Sequence, residues 1–387
     1  MLALSMICYA QEALWGVPQI ISPDIHEDHS VTFRMKAPDA QKVQVTGDFL
    51  PKQTIDTPYG KYDGPGVADL TKNADGLWEY TSDVLAPELY SYTFLVDNLQ
   101  VNDPSNVYMI RDVGTVTNVF LIEGDRASLY GVHDVPHGTV SRVWYDSPTL
   151  NMKRRMTVYT PAGYEDGNKS YPVFYLLHGM GGDEEAWIAL GRTAQILDNL
   201  IAEGKAEPMI VVMTNGNASQ EAAPGETHYG LVPPTTQLPH TMDGTFELAF
   251  PDVWKYVDSH YRTIPDKQHR AIAGLSMGGF HACHISAYNP DKFDYVGLFS
   301  AAIFPKEGTV SPVYEDFEMQ IGMQFKLQPK LYWIAIGNKD FLYDINKDFR
   351  QMLDKMGCKY TYRESEDGHI WKNWRIYLTE FAPLLFK

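Results

Sequence analysis

The stretch His269-Arg270-Ala271-Ile272-Ala273-Gly274-Leu275-Ser276-Met277-Gly278-Gly279 decides the fold of most of this 387-residue chain. An apolar run that reads as a buried strand ends in Gly274-Leu275-Ser276-Met277-Gly278, and a helical pattern opens directly after it. A turn that sharp forces strained dihedrals on its central serine and lifts the hydroxyl out at the carboxyl edge of a sheet. The flanking glycines relieve the crowding. A Gly-rich connection without chemistry is the competing reading of the same string.

Outward from this turn, apolar strands alternate with helical patterns from about residue 140 to the end. Tyr171–Leu177, Met209–Met213, His269–Leu275, Tyr295–Phe299 and Leu331–Ile336 read as buried parallel strands. Thr193–Glu203, Glu247–Tyr261, Met277–Tyr288 and Tyr343–Met356 read as helices. The alternation predicts a doubly wound, mostly parallel sheet of the α/β-hydrolase kind over 140–387. Residues 17–123 have another texture. Val31–Met35, Lys42–Thr46, Trp78–Thr81, Tyr90–Val96 and Thr115–Ile122 are short β-rich runs, with hairpin signals at Asp75-Gly76 and Asp97-Asn98. They predict an all-β immunoglobulin-like sandwich. Residues 124–139 show no period and read as a linker.

Composition narrows the partners. Asp plus Glu number 49 against 32 Lys plus Arg, a net charge of −17. Up to residue 125 there are 18 acidic and 7 basic side chains. No basic run occurs, so a nucleic acid partner is not expected. No stretch approaches the roughly 18 apolar residues of a membrane span. Met1–Ala10 is a short apolar run that stops at Gln11 behind a small residue, which resembles the end of a signal peptide cut between Ala10 and Gln11. Residues 1–16 are therefore read as signal remnant and leader, and the protein as secreted or periplasmic and bacterial. Cys8 would leave with the signal; Cys283 lies in a helical pattern and Cys358 at a strand start, so no disulfide framework is indicated.

A serine nucleophile needs a base. In the hydrolase order Ser, acid, His, the base follows residue 276, which leaves His281, His284 and His369. The first two lie on the helix that the serine opens and cannot reach back to its start. His369, in Asp367-Gly368-His369-Ile370-Trp371, is the candidate base. His281, Cys283 and His284 superficially resemble a metal cluster, but that helical spacing does not converge. No HExxH or CxxC occurs, so neither metal nor cofactor is expected. The orienting acid should stand after a late strand, where Asp340 follows Leu331–Ile336; Asp344 and Glu366 compete. Leu177-His178-Gly179-Met180-Gly181-Gly182 follows an early strand, and the backbone N–H of Met180 could join that of Met277 as an oxyanion hole.

Together these residues resemble the esterase D superfamily, and specifically carbohydrate esterase family 1, over about residues 140 to 385. The resemblance rests on Val158-Tyr159-Thr160-Pro161, Tyr171-Pro172-Val173, Leu177-His178-Gly179-Met180-Gly181-Gly182, Trp187, Gly274–Gly279, Gly337-Asn338-Lys339-Asp340 and Gly368-His369 with Trp371 and Trp374. It implies Asp340 as the triad acid. The N-terminal half resembles carbohydrate-binding family 48 through Val45-Thr46-Gly47-Asp48-Phe49, Asp75-Gly76-Leu77-Trp78, Tyr92-Thr93-Phe94 and Thr115-Val116-Thr117-Asn118. It departs from that family's glucan platform: Phe49 is followed by Leu50-Pro51-Lys52, Thr93 replaces the usual Lys, and Gln100 falls where a platform tryptophan belongs. Only Asn118 remains, and Trp78 is expected in the core.

The two resemblances imply a secreted serine esterase that removes feruloyl or acetyl groups from xylan side chains, with arabinoxylan esters as substrate. A siderophore esterase of the enterochelin type is the alternative enzyme. It would want a basic pocket, and Arg154-Arg155 is the one adjacent basic pair near the start of the domain. A non-catalytic glycan-binding protein is the alternative of another class. Loops 215–245 and 304–326 are expected to wall the acyl and glycan sites.

Overall fold

The structure, a computed structural model, describes residues 20–57, 60–231, 233–236 and 238–387. The expected leader 1–16, its cut after Ala10, and Cys8 lie outside these. The described residues divide into two units: one takes those up to Ala86 with Tyr90–Met109 and Asn118–Ile122, the other Pro87–Leu89, Ile110–Thr117 and Glu123–Lys387.

The first unit is built from β-structure. One sheet carries Asp24–Ile25, Val31–Lys36, Leu77–Thr81 and Thr71–Lys72; a second centres on Thr115–Ile122, Glu88–Val96, Val43–Gly47 and Gly66–Asp69. Both expected hairpin turns form. Asp97 and Asn98, at φ 47° and 71°, join Glu88–Val96 to the antiparallel Leu99–Val101, and Gly76, at φ 74°, precedes Leu77–Thr81. Alternate residues of both sheets meet in one core. Val31, Phe33 and Met35 enter from the first sheet, and Val43, Val45, Phe94 and Phe120 from the second. Trp78 belongs to that core: it is 7% exposed and its Nε1 donates to the Ala37 carbonyl at 2.8 Å. Asn118 is also structural. It is buried, accepts from the Asp103 N–H at 2.7 Å and donates to the Asn106 carbonyl at 2.8 Å.

The second unit holds an eight-stranded sheet in the order Thr139–Ser147, Met152–Thr160, Ile210–Thr214, Val173–Leu177, Arg270–Leu275, Tyr295–Phe299, Leu331–Gly337, Thr361–Ser365. The first three pair antiparallel and every later pair is parallel. Val-Phe-Tyr-Leu-Leu at 173–177 is buried throughout because both faces are covered. Val173, Tyr175 and Leu177 join the core on one face, while Phe174 meets Phe381 of the helix Trp371–Phe381 on the other, with ring centroids 5.7 Å apart. The order reverses at Val173–Leu177, since the next strand in the chain lies on one side of it and Arg270–Leu275 on the other. Ligand sites of open α/β sheets lie outside the carboxyl ends of the strands at such a reversal. Leu177 and Gly274 are direct partners there, so the glycine loop and the serine turn leave the sheet side by side.

Four features depart from the sequence reading. The hairpin Thr139–Ser147 and Met152–Thr160 adds two strands, and Trp371–Phe381 adds a helix. Residues 317–326, expected within a loop, form a helix whose Phe317, Ile321 and Phe325 face the core four residues apart. Arg154, half of the basic pair, is 1% exposed and donates to the carbonyls of Asn215, Asn217 and Gln220.

The histidines of the nucleophile helix are buried rather than convergent. The His281 ring contacts Glu247 Oε1 through Nδ1 at 2.9 Å, and His284 Nε2 donates to the Ile303 carbonyl at 2.8 Å. Burial lowers both His178 and His284 from 6.5 to about 4, so both are neutral in the fold.

Two outcomes follow for stability. Trp78→Ala removes a core ring and should lower the unfolding free energy of the first unit by about 3–5 kcal/mol; an unchanged denaturant midpoint contradicts its place in the core. Unfolded histidines take up protons below about pH 6.5 that His178 and His284 refuse until about pH 4. Stability therefore falls as pH is lowered through that window. His284→Gln, which keeps a donor but cannot titrate, should flatten the fall measured by denaturation at pH 7, 5.5 and 4.5.

Candidate active site

Ser276 stands between the buried strand Arg270–Leu275 and the helix Met277–Tyr288 at φ 53°, ψ −115°, a conformation that L side chains rarely adopt. Its backbone is fully engaged: the N–H donates to the Phe299 carbonyl at 2.9 Å, and the carbonyl accepts from Phe280 at 3.0 Å and Ala302 at 3.1 Å. These three bonds hold the turn while the side chain stays partly accessible. Glycine is required beside it. A Cβ at Gly278 would lie 2.3 Å from the Leu177 carbonyl oxygen and 2.5 Å from that of His178.

The glycine loop lies against the serine, since a Cβ on Gly179 would come within 3.3 Å of the Ser276 Cβ. His178 fixes that loop. Its Nε2 accepts from the Gly216 N–H at 2.7 Å, which leaves the proton on Nδ1 to be donated to the Gly179 carbonyl at 2.7 Å. Burial keeps the ring neutral and so preserves this tautomer. Met180 and Met277 both line the cavity at Ser276. Met277 is the first residue of its helix, where a backbone N–H has no intrahelical acceptor.

His369 precedes the helix Trp371–Phe381, and its Nδ1 lies 3.0 and 2.9 Å from the two carboxylate oxygens of Asp340. The Asp340 side chain is fully buried and also accepts from the Leu342 N–H at 2.9 Å. Two loops are stitched to achieve this: Asn338 and Lys339 donate to the carbonyls of Ser365 and Asp367 at 2.8 and 3.0 Å. With the Nδ1 proton given to the carboxylate, Nε2 is left as the acceptor. Asp344 and Glu366 are exposed. The imidazole touches two rings, Phe341 at 4.5 Å and Trp374 at 5.0 Å between centroids.

A cavity of about 960 Å³ brings together Ser276, His369, Met180 and Met277, with Asp340 behind the histidine. Its apolar wall includes Met242, Leu275, Ala302, Phe341 and Trp371. Of the two expected loop walls, 215–245 contributes Ala223, Pro224, Glu226 and Met242, and 304–326 contributes no lining residue among those described. Its charged wall carries Arg111, Arg142 and Arg155 against Asp112, Asp183, Glu185 and Glu226. Each arginine is already paired: Arg111 with Asp183, Arg142 with Glu185 at 2.7 Å, and Arg155 with Glu184, Glu185 and Glu226 at 2.8, 3.2 and 2.9 Å. Sequence reasoning assigned no role to His178, whose one local signal was its place before Gly179. It also missed the Arg155 cluster, whose partners stand 29 to 71 residues away in the chain.

Residues 147–384 match the family described as putative esterase. An endo-1,4-beta-xylanase/feruloyl esterase of Xylanibacter ruminicola is 27% identical over 371 residues, which cover 94% of this chain and 46% of the relative. The chain thus spans about half the length of that relative. A solved ferulic acid esterase is 28% identical with a TM-score of 0.52, covering 64% of this chain and 97% of the other. The enterobactin esterase of Shigella flexneri shares the fold over 92% of each chain at a TM-score of 0.61 and 16% identity. The esterase match takes in the whole serine turn, the glycine loop and the His369–Asp340 pair, and the chain belongs to the putative esterase family.

Proposed function

We propose that the protein is a secreted serine esterase that releases feruloyl or acetyl groups from xylan side chains through an acyl-enzyme. The observation that carries the chemistry is Ser276, held in a strained turn, facing one cavity with His369 whose Nδ1 is tied to a buried Asp340. The reading of the substrate rests on relatives whose names give feruloyl and ferulic acid esterase activity.

Ser276 Oγ attacks the ester carbonyl carbon and passes its proton to His369 Nε2. Asp340 holds the imidazole in the required tautomer and stabilises the imidazolium. The negative charge that develops on the carbonyl oxygen turns to the N–H groups of Met277 and Met180, fixed donors that need no reorganisation. Collapse breaks the bond to the sugar oxygen, which takes the proton from His369 and leaves as an alcohol. Water then attacks the acyl-enzyme, giving its proton to His369; the carboxylic acid leaves and Ser276 recovers its proton.

The charge around the cavity weighs against the siderophore reading. A polyanionic ferric catecholate needs unpaired cations, and the three cavity arginines are neutralised by carboxylates. The likeness to the enterobactin esterase is one of fold. For the N-terminal half we propose an immunoglobulin-like sandwich of the carbohydrate-binding family 48 type over 17–123, which lacks the glucan platform. Its Trp78 and Asn118 are occupied inside the unit, and affinity for starch is not expected. A linker at 124–139 and an esterase domain at 140–387 complete the proposed organisation, with export by a leader at 1–16.

Ser276→Ala should reduce release of ferulate and acetate from arabinoxylan at least about 10⁴-fold while the protein stays folded, and His369→Ala comparably, because triad members act as a unit. Wild-type turnover in purified Ser276→Ala would refute the assignment, and loss of wild-type activity in EDTA would point to other chemistry. Gly278→Ala should lower kcat through the same turn, since its methyl group meets backbone oxygen rather than a movable side chain. Full activity in that variant would show that the glycine loop and the helix start can separate without harm.

A further inference from the structure

Phe341 is open to solvent where its neighbours are not. It is 74% exposed, yet Asp340 before it and Leu342 after it are 5% and 8% exposed. The backbone on either side is therefore anchored, and the ring is held out by a fixed loop between the strand Leu331–Gly337 and the helix Tyr343–Lys355. The other ring on His369, Trp374, is only 5% exposed and packs against Trp371 and the imidazole. Phe341 touches the same imidazole and adds an apolar face to the wall of the catalytic cavity.

The proposed reaction says what meets that face. The acyl carbon carries four groups in the tetrahedral intermediate. Ser276 Oγ is one, the oxyanion points to Met180 and Met277, and the leaving oxygen must approach His369 Nε2 to receive its proton. The acyl chain takes the remaining direction, away from the histidine. The alcohol half of the ester is thus the part that lies beside the ring in contact with His369.

We propose that Phe341 is the platform for the first sugar of the leaving alcohol, stacking on the C–H face of a pentose and so selecting sugar esters over simple alkyl esters. The inference rests on the triad assignment and deepens the substrate reading. Because the backbone of the loop is anchored, binding has to order only the Phe341 side chain. Aromatic contacts of this kind contribute enough to change binding by about fivefold to tenfold.

The test compares Phe341→Ala, Phe341→Trp and wild type on a feruloylated arabino-oligosaccharide and on methyl ferulate. The ratio of kcat/KM for the sugar ester over the methyl ester should fall about fivefold to tenfold in Phe341→Ala and recover to within about twofold of wild type in Phe341→Trp. Equal losses on both esters, the mark of a displaced His369, would overturn the platform, as would an unchanged ratio. Wild-type inactivity on both feruloyl esters would refute the feruloyl reading separately. The same variant-to-wild-type ratio is then taken with an acetylated xylo-oligosaccharide and 4-nitrophenyl acetate, where it supports or overturns the platform by the same criterion.

Discussion

Ser276 is held at φ 53°, ψ −115° by three backbone hydrogen bonds, to Phe299, Phe280 and Ala302, and the site is arranged around that one strained residue. The strain costs on the order of 1–3 kcal/mol and persists only where the surroundings over-determine it. Here the surroundings are a parallel sheet buried on both faces, with Leu177 and Gly274 paired across adjacent strands. That register sets the start of the nucleophile helix against the carbonyls of Leu177 and His178. Gly278 is the residue that lets them approach. The glycine loop and the serine are thus placed by the same contact, and neither can shift without the other.

The second dependence is electrostatic. The charged groups beside the serine are largely paired within the protein. The Asp340 carboxylate is buried and divided between His369 and the Leu342 N–H. His178 is kept neutral by burial and spends both ring nitrogens on the backbone of the loops at Gly179 and Gly216. The arginines of the cavity are neutralised by carboxylates. What remains open to a ligand is an apolar wall beside the serine and the histidine, which suits a neutral ester better than a polyanion.

Much of this was legible in the chain because it is local or ordered along it. The strand Tyr295–Phe299 was read with its observed bounds, and the serine turn, with a strand before it and a helix after, needed no tertiary information. His369 followed from chain order, whereas chain order left Asp340 beside Asp344 and Glu366, and only the family resemblance singled it out. The hairpin Thr139–Ser147 and Met152–Thr160 was not legible, because Lys153, Arg154 and Arg155 interrupt its apolar pattern, and only the fold reveals that both arginines are buried. The helix at 317–326 was hidden by Gly322 and by Met and Gln between its core residues. The Arg155 cluster is assembled across the fold and leaves no spacing to read. Phe341 stands next to Asp340 in the sequence, but nothing in the sequence says that one is buried and the other exposed.

The central claim is that the strained Ser276 is the nucleophile that His369 activates. It is tested most directly by labelling the full chain with a fluorophosphonate and mapping the adduct by peptide mass spectrometry. A reagent of this kind phosphonylates a serine oxygen activated by an adjacent base far faster than an ordinary hydroxyl. One adduct per chain is expected, on the peptide containing Ser276, and it should be lost in His369→Ala. An adduct on another residue, or labelling of Ser276 that does not depend on His369, would contradict that claim.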